Sequence, residues 1–211
     1  MPSGGHIVLL GDSIFDNGAY TRGEPDVVTH LRSGLPPSWS ATLLAVDGAT
    51  TTDIPRQLAR VPDTATHLVL SVGGNDALQN SDLLRTPVRS SADTLNRFAE
   101  RLERFAAAYR RVVADILGTG RHTVVCTVYN GALPPGEAPA AAVALSTFND
   151  VILRTAVSHR VDLIELRLVC TEAADYANPI EPSGEGGRKI AAAIARAVGA
   201  SDARRASAIY F

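Results

Sequence analysis

The chain opens with a short apolar run that ends abruptly in small polar residues. Residues 6–10 (HIVLL) are followed directly by Gly11, Asp12 and Ser13. An apolar run of this length, bounded by glycine and aspartate, predicts a strand buried within a parallel sheet. Ligands of open α/β sheets bind just beyond the carboxyl ends of such strands. The pattern therefore places Ser13 where chemistry is expected, although Asp12 and Ser13 are also residue types that cap a following helix.

Two later apolar runs end in the same way. The second run precedes a loop that contains Gly48, and the third precedes residues 73–76 (GGND), which include Asn75. Because the carboxyl ends of parallel strands meet at one edge of a sheet, we expect the three loops to converge. Backbone amides at glycines and an asparagine side chain are donors suited to a developing oxyanion. Ser13, Gly48 and Asn75 are thus the groups that a serine nucleophile would need around it.

The whole chain alternates between strand and helix patterns. Long amphipathic helices are predicted over residues 92–118 and 138–159, and a last helix over 184–199. Short helices are predicted over 25–35 and 52–61, and strands over 6–10, 41–46, 67–72, 123–128 and 161–166. Strands that alternate with helices predict an α/β fold, a three-layer αβα sandwich around a five-stranded parallel sheet. We expect one domain over residues 1–200 and a C-terminal tail, 201–211, whose apolar end docks onto the body or a partner.

The three loops together resemble the SGNH/GDSL hydrolase family. The matching residues are Gly11-Asp12-Ser13 with Asp16 and Gly18, Gly48 in its loop, and Gly73-Gly74-Asn75-Asp76. The resemblance implies that Ser13 is the nucleophile, and that the amides of Ser13 and Gly48 and the side chain of Asn75 form the oxyanion hole. It also implies the flavodoxin-like strand order of the SGNH hydrolase fold.

The last family motif is altered in this chain. Family members carry an Asp, two further residues and then a His before the final helix, whereas this chain has Asn178 and Glu181 at those positions. A histidine base donates its ring N–H to an aspartate, and a glutamate base has no such N–H. An asparagine amide, however, can donate to the glutamate carboxylate. The two changes are therefore compatible with each other, with Glu181 as an atypical base and Asn178 as the residue that orients it.

Glu181 has a second interpretation that the sequence leaves open. An unperturbed glutamate has a pKa of about 4.3 against about 6.5 for histidine, so it is a weak base unless burial raises that value. The alternative is that Glu181 only shapes the start of the last helix, where a negative charge suits the helix dipole.

Six further polar residues are candidates to line the pocket because they lie in or beside these loops. Asp16 can equally cap a helix, Asp76 can orient Asn75 or cap the next segment, and residues 129–130 can equally form a plain strand-to-helix turn. The six candidates are Asp12, Asp16, Asn17, Asp76, Tyr129 and Asn130.

Composition excludes several other classes of protein. The chain has 211 residues and a net charge of −2, so it lacks the basic excess of a nucleic-acid-binding protein. No run of apolar residues approaches the ~20 needed to span a membrane, and no secretory signal is evident at the N-terminus. Cys126 and Cys170 lie in or beside apolar runs and are expected to be core residues rather than a disulfide. We therefore expect a cytoplasmic protein with no membrane or nucleic-acid partner.

The three loops and their resemblance to the SGNH/GDSL hydrolase family together imply a serine esterase or acyl hydrolase. It would cleave a small ester or acetyl group through an acyl-enzyme on Ser13. No metal or cofactor is expected, because no His, Cys, Asp or Glu cluster has zinc-ligand spacing and none of the five histidines lies in a site loop. One alternative is a weak or inactive relative that binds a small polar ligand. Another is an unrelated flavodoxin-like module that holds a phosphate at the same edge.

Overall fold

The computed structural model describes residues 4–200 and contains a five-stranded parallel sheet in the order β2-β1-β3-β4-β5. The strands are β1 (His6–Gly11), β2 (Ser40–Leu43), β3 (His67–Ser71), β4 (His122–Cys126) and β5 (Asp162–Ile164). The sheet confirms the predicted α/β class and the flavodoxin-like strand order. The boundary after residue 200 stays a prediction, and the tail 201–211 lies outside the described residues.

Helices cover both faces of the sheet. They are α1 (Val27–Gly34), α2 (Ile54–Leu58), α3 (Gly74–Leu78), α4 (Ser91–Leu117), α5 (Ala138–His159) and α6 (Gly184–Ala197). Short 3₁₀ turns occupy Ser81–Leu84, Leu166–Leu168 and Ala173–Asp175. The pair α1 and α6 packs together, as does the pair α4 and α5. The short helix α3 and the 3₁₀ turn that follows it were not predicted, because neither is long enough to show helical periodicity.

The predicted second strand was too long at its carboxyl end. The prediction included Leu44 and Ala45, which are buried but lie beyond the last residue of β2. Both backbone N–H groups donate to the same acceptor, the Leu9 carbonyl, so the ladder stops there. Apolar side chains that continue past the last ladder hydrogen bond therefore make the strand look longer in the sequence than it is.

The core lies between the sheet and the two helical layers. The side chains of residues 7–10 in β1 are fully buried, as a central parallel strand requires. Both cysteines are buried and free, as expected. By length and composition alone α5 is apolar enough to cross a membrane. Its buried residues, which include Phe148, Ile152 and Ala156, nevertheless belong to the same hydrophobic core as the sheet.

The end of β1 is held in a conformation that only glycine adopts easily. Gly11 has a φ of +136°, and a Cβ at this position would lie 1.8 Å from the carbonyl oxygen of Ser71 on β3. The buried side chain of Gln57 forms two hydrogen bonds with this residue. It accepts from the Gly11 N–H and donates to the Gly11 carbonyl, each at 2.8 Å. This contact sets the direction in which the chain leaves the sheet toward Ser13.

We expect Gly11→Ala to lower the free energy of unfolding by about 3 kcal/mol or more, because it combines backbone strain with a steric clash. Urea denaturation measures the change. The control is Gly34→Ala, where no atom lies within 4 Å of the new Cβ, and where we expect a change of no more than about 0.5 kcal/mol. Equal stabilities of the two variants would contradict this account of the turn.

Candidate active site

Three of the predicted site residues meet at a single cavity. Ser13 follows β1 directly and is 7% exposed. Asn75, at the start of α3, and Glu181, just before α6, line the same cavity as Ser13. The carboxyl edge of the sheet therefore brings a hydroxyl, an amide and a carboxylate together from three distant parts of the chain.

The loop that carries Gly48 is tied to both neighbouring loops but does not itself line the cavity. The Asn75 side chain donates from Nδ2 to the Ala49 carbonyl at 3.0 Å, and the Asp47 N–H donates to Asp16 at 2.9 Å. Gly48 is exposed and has a φ of +79°, which explains why this position is glycine. Asp16 thus acts here as an anchor for the loop.

The oxyanion-hole candidates retain free donors. An asparagine amide has two N–H groups, and the bond to Ala49 uses one of those of Asn75. Among residues 4–200, the backbone N–H groups of Ser13 and Gly48 donate to no protein acceptor. Asp76 holds α3 against the Gly48 loop, since it accepts from the hydroxyl of Thr51 at 2.6 Å and from its N–H at 3.1 Å.

Glu181 is buried in the wall of the cavity that Ser13 lines. It is 6% exposed, and its Oε2 has no hydrogen-bond partner within residues 4–200. Burial raises the pKa of Glu181 above its ordinary value, its interaction with the Ser13 side chain opposes that shift, and the charge of Asp47 adds to it. The carboxylate therefore lies close to the Ser13 hydroxyl and is a stronger base than an exposed glutamate.

Asn178 supports Glu181 in a different way from the one expected. The expectation was an amide N–H donated to the Glu181 carboxylate. The structure instead directs Oδ1 of Asn178 at the backbone, where it accepts from the N–H groups of Ile180 and Glu181, each at 2.9 Å. The chain turns tightly here, and the N–H of Ala177 donates to the Glu181 carbonyl. Asn178 therefore positions residue 181 through the main chain.

The start of α6 is supplied by another residue. Ser183 is the N-cap, and its hydroxyl accepts from the Gly186 N–H at 3.2 Å. Glu181 lies outside the helix, with its side chain in the wall of the cavity. The interpretation of Glu181 as a residue that only shapes the helix start therefore has no support from the contacts.

Two further candidates brace the turn that carries Glu181. Asn17 is fully buried and joins the Ser13 loop to this turn by donating to the Pro182 carbonyl at 3.2 Å. The Tyr129 hydroxyl donates to the Ile180 carbonyl at 2.7 Å. Tyr129 and Asn130 both line the cavity, whereas Asn17 does not.

One supporting residue was missed by sequence reasoning. Asn149, in the middle of α5, accepts from the Val128 N–H and donates to the Val128 carbonyl, each at 2.8 Å. This pair of bonds fixes the segment after β4 that carries Tyr129. A lone asparagine on an otherwise apolar helical face was the signal that could have revealed it.

The cavity has a volume of about 140 Å³ and is mostly apolar. Part of its wall comes from α5, from Phe98 of α4 and from the turn between α3 and α4, where the sequence analysis placed no site residue. The apolar lining residues include Ile14, Leu84, Phe98, Ala144, Leu145 and Phe148. The Ser13 site therefore opens onto a hydrophobic space.

No histidine lines this cavity in the described part of the chain. His6, His67 and His122 are the first residues of β1, β3 and β4, which places them at the opposite edge of the sheet. Within residues 4–200 there is also no group of three or more His, Cys, Asp or Glu side chains that could hold a metal ion.

Comparison with known proteins identifies the family. Residues 9–189 match the model of the GDSL-like lipase/acylhydrolase family, and the chain therefore belongs to that family. No curated protein sequence matches the chain closely enough to count as a relative.

Solved structures of ester hydrolases share the fold. An extracellular lipase from Streptomyces rimosus superimposes with a TM-score of 0.69 at 17% identity, covering 92% of this chain and 99% of the lipase. The acetylxylan esterase Axe2 from Geobacillus stearothermophilus gives a TM-score of 0.68 at 18% identity, covering 94% and 97%. The lipase Lip_vut3 from a goat rumen metagenome gives 0.70 at 19% identity, covering 91% and 96%.

The role of Asn178 as a backbone acceptor leads to a prediction about stability. We expect Asn178→Ala to lower the free energy of unfolding by about 1 kcal/mol, because two backbone N–H groups lose their acceptor. Asn178→Asp keeps an acceptor oxygen in place, so we expect it to retain most of that stability. Chemical denaturation of both variants measures the difference. A stable alanine variant beside an unstable aspartate variant would instead favour the amide-donor role.

Proposed function

We propose that this protein hydrolyses a carboxylic ester through an acyl-enzyme on Ser13. The observation that carries the proposal is that Ser13 and the buried carboxylate of Glu181 line the same cavity, which Asn75 also lines. Membership of the GDSL-like family supports ester hydrolysis in general. The atypical base is the part that this chain adds.

The proposed reaction uses groups that line the cavity, together with the backbone N–H of Gly48 in the loop bonded to Asn75. The Ser13 Oγ attacks the ester carbonyl while its proton passes to Glu181, and the resulting oxyanion takes hydrogen bonds from the free N–H groups near Ser13, Gly48 and Asn75. Glu181 then returns the proton to the leaving alcohol, which leaves an acyl-enzyme. A water molecule that loses its proton to Glu181 attacks this ester, and the acid is released as Ser13 regains a proton.

A carboxylate base needs its environment more than a histidine does. In water a glutamate is ionised but takes a proton from a hydroxyl very poorly, so only desolvation makes it useful. Glu181 is buried, and this burial raises its pKa, so the side chain is desolvated in the way that a carboxylate base requires. Among residues 4–200 no histidine lines the cavity, and this favours one competing function, a weak or inactive relative that binds a small ligand.

The size and apolar lining of the cavity favour a substrate whose acyl group is larger than acetyl. A space of this order accepts about six carbon atoms, roughly the size of benzene. Leu78, Leu84 and Ile180 line it and remain 46%, 42% and 39% exposed, which extends the apolar surface to its mouth. We therefore propose a substrate with a short to medium aliphatic or aromatic acyl chain. The prediction of a cytoplasmic enzyme without a cofactor rests on the sequence.

Labelling with a fluorophosphonate tests whether Ser13 is a nucleophile. We expect intact-mass analysis to show a single adduct on the wild-type protein and none on Ser13→Ala. Glu181→Gln should slow labelling by at least about a hundredfold, because it removes the base without changing the shape of the side chain. A folded wild-type protein that takes no adduct would favour the ligand-binding alternative. Unchanged labelling of Glu181→Gln would remove that residue from the mechanism.

Acyl-chain preference tests the cavity. We expect p-nitrophenyl hexanoate to be a better substrate than the acetate, as judged by kcat/KM. Ala144→Phe, which fills the cavity, should lower the hexanoate-to-acetate ratio by at least about tenfold. Ala140→Phe is the matched control, since Ala140 is exposed on the same helix and does not line the cavity. If both variants keep the wild-type ratio, the acyl group lies elsewhere.

A further inference from the structure

Asp12 is a buried carboxyl group whose charge has no counterpart. It directly precedes Ser13, is 1% exposed and lines the cavity. Its Oδ1 accepts from the Ile14 N–H at 3.1 Å, but its Oδ2 is buried with no hydrogen-bond partner in the described part of the chain. An unpaired carboxylate in such a place is costly, and the group lowers that cost by taking up a proton.

The groups around Asp12 are acidic or neutral. Glu181, from the turn before α6, and Asp76, from α3, both act on it with like charge. Cys126 on β4 and Tyr129 after it are the other titratable neighbours, and both are uncharged at neutral pH because burial raises their pKa values. Within residues 4–200, no Lys, Arg or His lines the cavity. Asp12 and Glu181 therefore share the cavity with Ser13, and no cation in its described lining balances them.

We propose that Asp12 works as a neutral carboxylic acid, which leaves Glu181 free to act as the ionised base beside Ser13. The proposal rests on the proposed function for its catalytic consequence. In this proposal Asp12 acts indirectly. Because its carboxyl group is neutral, no second negative charge lies beside the place where the oxyanion forms.

The consequence is an upper pH limit on catalysis. Burial raises the pKa of Asp12 to about 8, against the opposing bond from Ile14, and the charges of Glu181 and Asp76 add to the rise. Two carboxyl groups whose environments separate their pKa values form an acid and base pair. When Asp12 ionises, its negative charge destabilises the developing oxyanion and makes loss of the proton from the Ser13 hydroxyl less favourable. Activity is therefore expected to fall as the pH rises through this value.

A pH–rate comparison tests the proposal. With spontaneous hydrolysis subtracted, we expect kcat/KM of the wild type for a p-nitrophenyl ester to fall about tenfold for each pH unit above 8. Asp12→Asn keeps the neutral shape, so it should retain activity at pH 7 within a few fold and lose the alkaline decline. Glu185→Gln, a change on α6 outside the cavity, serves as the control and should keep the decline. An alkaline decline that persists in Asp12→Asn would overturn the proposal, as would a hundredfold loss of activity at pH 7.

A second measurement does not depend on catalysis. In wild-type protein labelled with ¹³C at the aspartate carboxyl carbons, the Asp12 resonance should titrate near pH 8, and it should be missing from Asp12→Asn. Titration near the ordinary value of 3.8 would overturn the proposal. A protein that shows no hydrolysis at any pH would reject the proposed function, and the carboxyl titration would still decide the state of Asp12.

Discussion

The close approach of β1 to β3 at Gly11 is the constraint on which the site depends. No side chain fits between Gly11 and the Ser71 carbonyl, and the Gln57 side chain locks both polar groups of the Gly11 backbone. The chain must therefore leave the sheet at this point in one direction. That direction buries Asp12 and directs Ser13 to the wall of the cavity. For the nucleophile proposed at Ser13, a position fixed by the backbone means that the residue does not need to be ordered again during the proposed reaction.

The second half of the site reaches Ser13 through a braced turn. Asn178, Asn17 and Tyr129 each hold the main chain on one side of Glu181, so the carboxylate is positioned by its backbone. One oxygen of the Glu181 carboxylate has no hydrogen-bond partner in the described part of the chain. A buried carboxylate that is held firmly but satisfied poorly is a reactive group, because its ionised form gains little from its surroundings.

Much of the fold was predictable from local pattern. Short apolar runs that end in glycine and aspartate predicted the strands, and helical periodicity predicted α4 and α5, because both signals depend on neighbours in the sequence. The prediction of the site was less complete. Ser13, Asn75 and Glu181 were found through their positions after strands or before the last helix. The bracing role of Asn149 was not found, because its partner at Val128 lies on another element.

The sequence by itself determined the succession of strands and helices along the chain and the edge of the sheet that carries Ser13. It also determined the presence of Glu181 where the family has histidine. Tertiary structure decided that Asn178 presents an oxygen to the backbone rather than an amide to Glu181. It also decided the apolar walls of the cavity and the raised pKa values of Asp12 and Glu181. The physical reason is that desolvation and charge interactions depend on distances between segments that are remote in the chain. Local sequence patterns do not determine those distances.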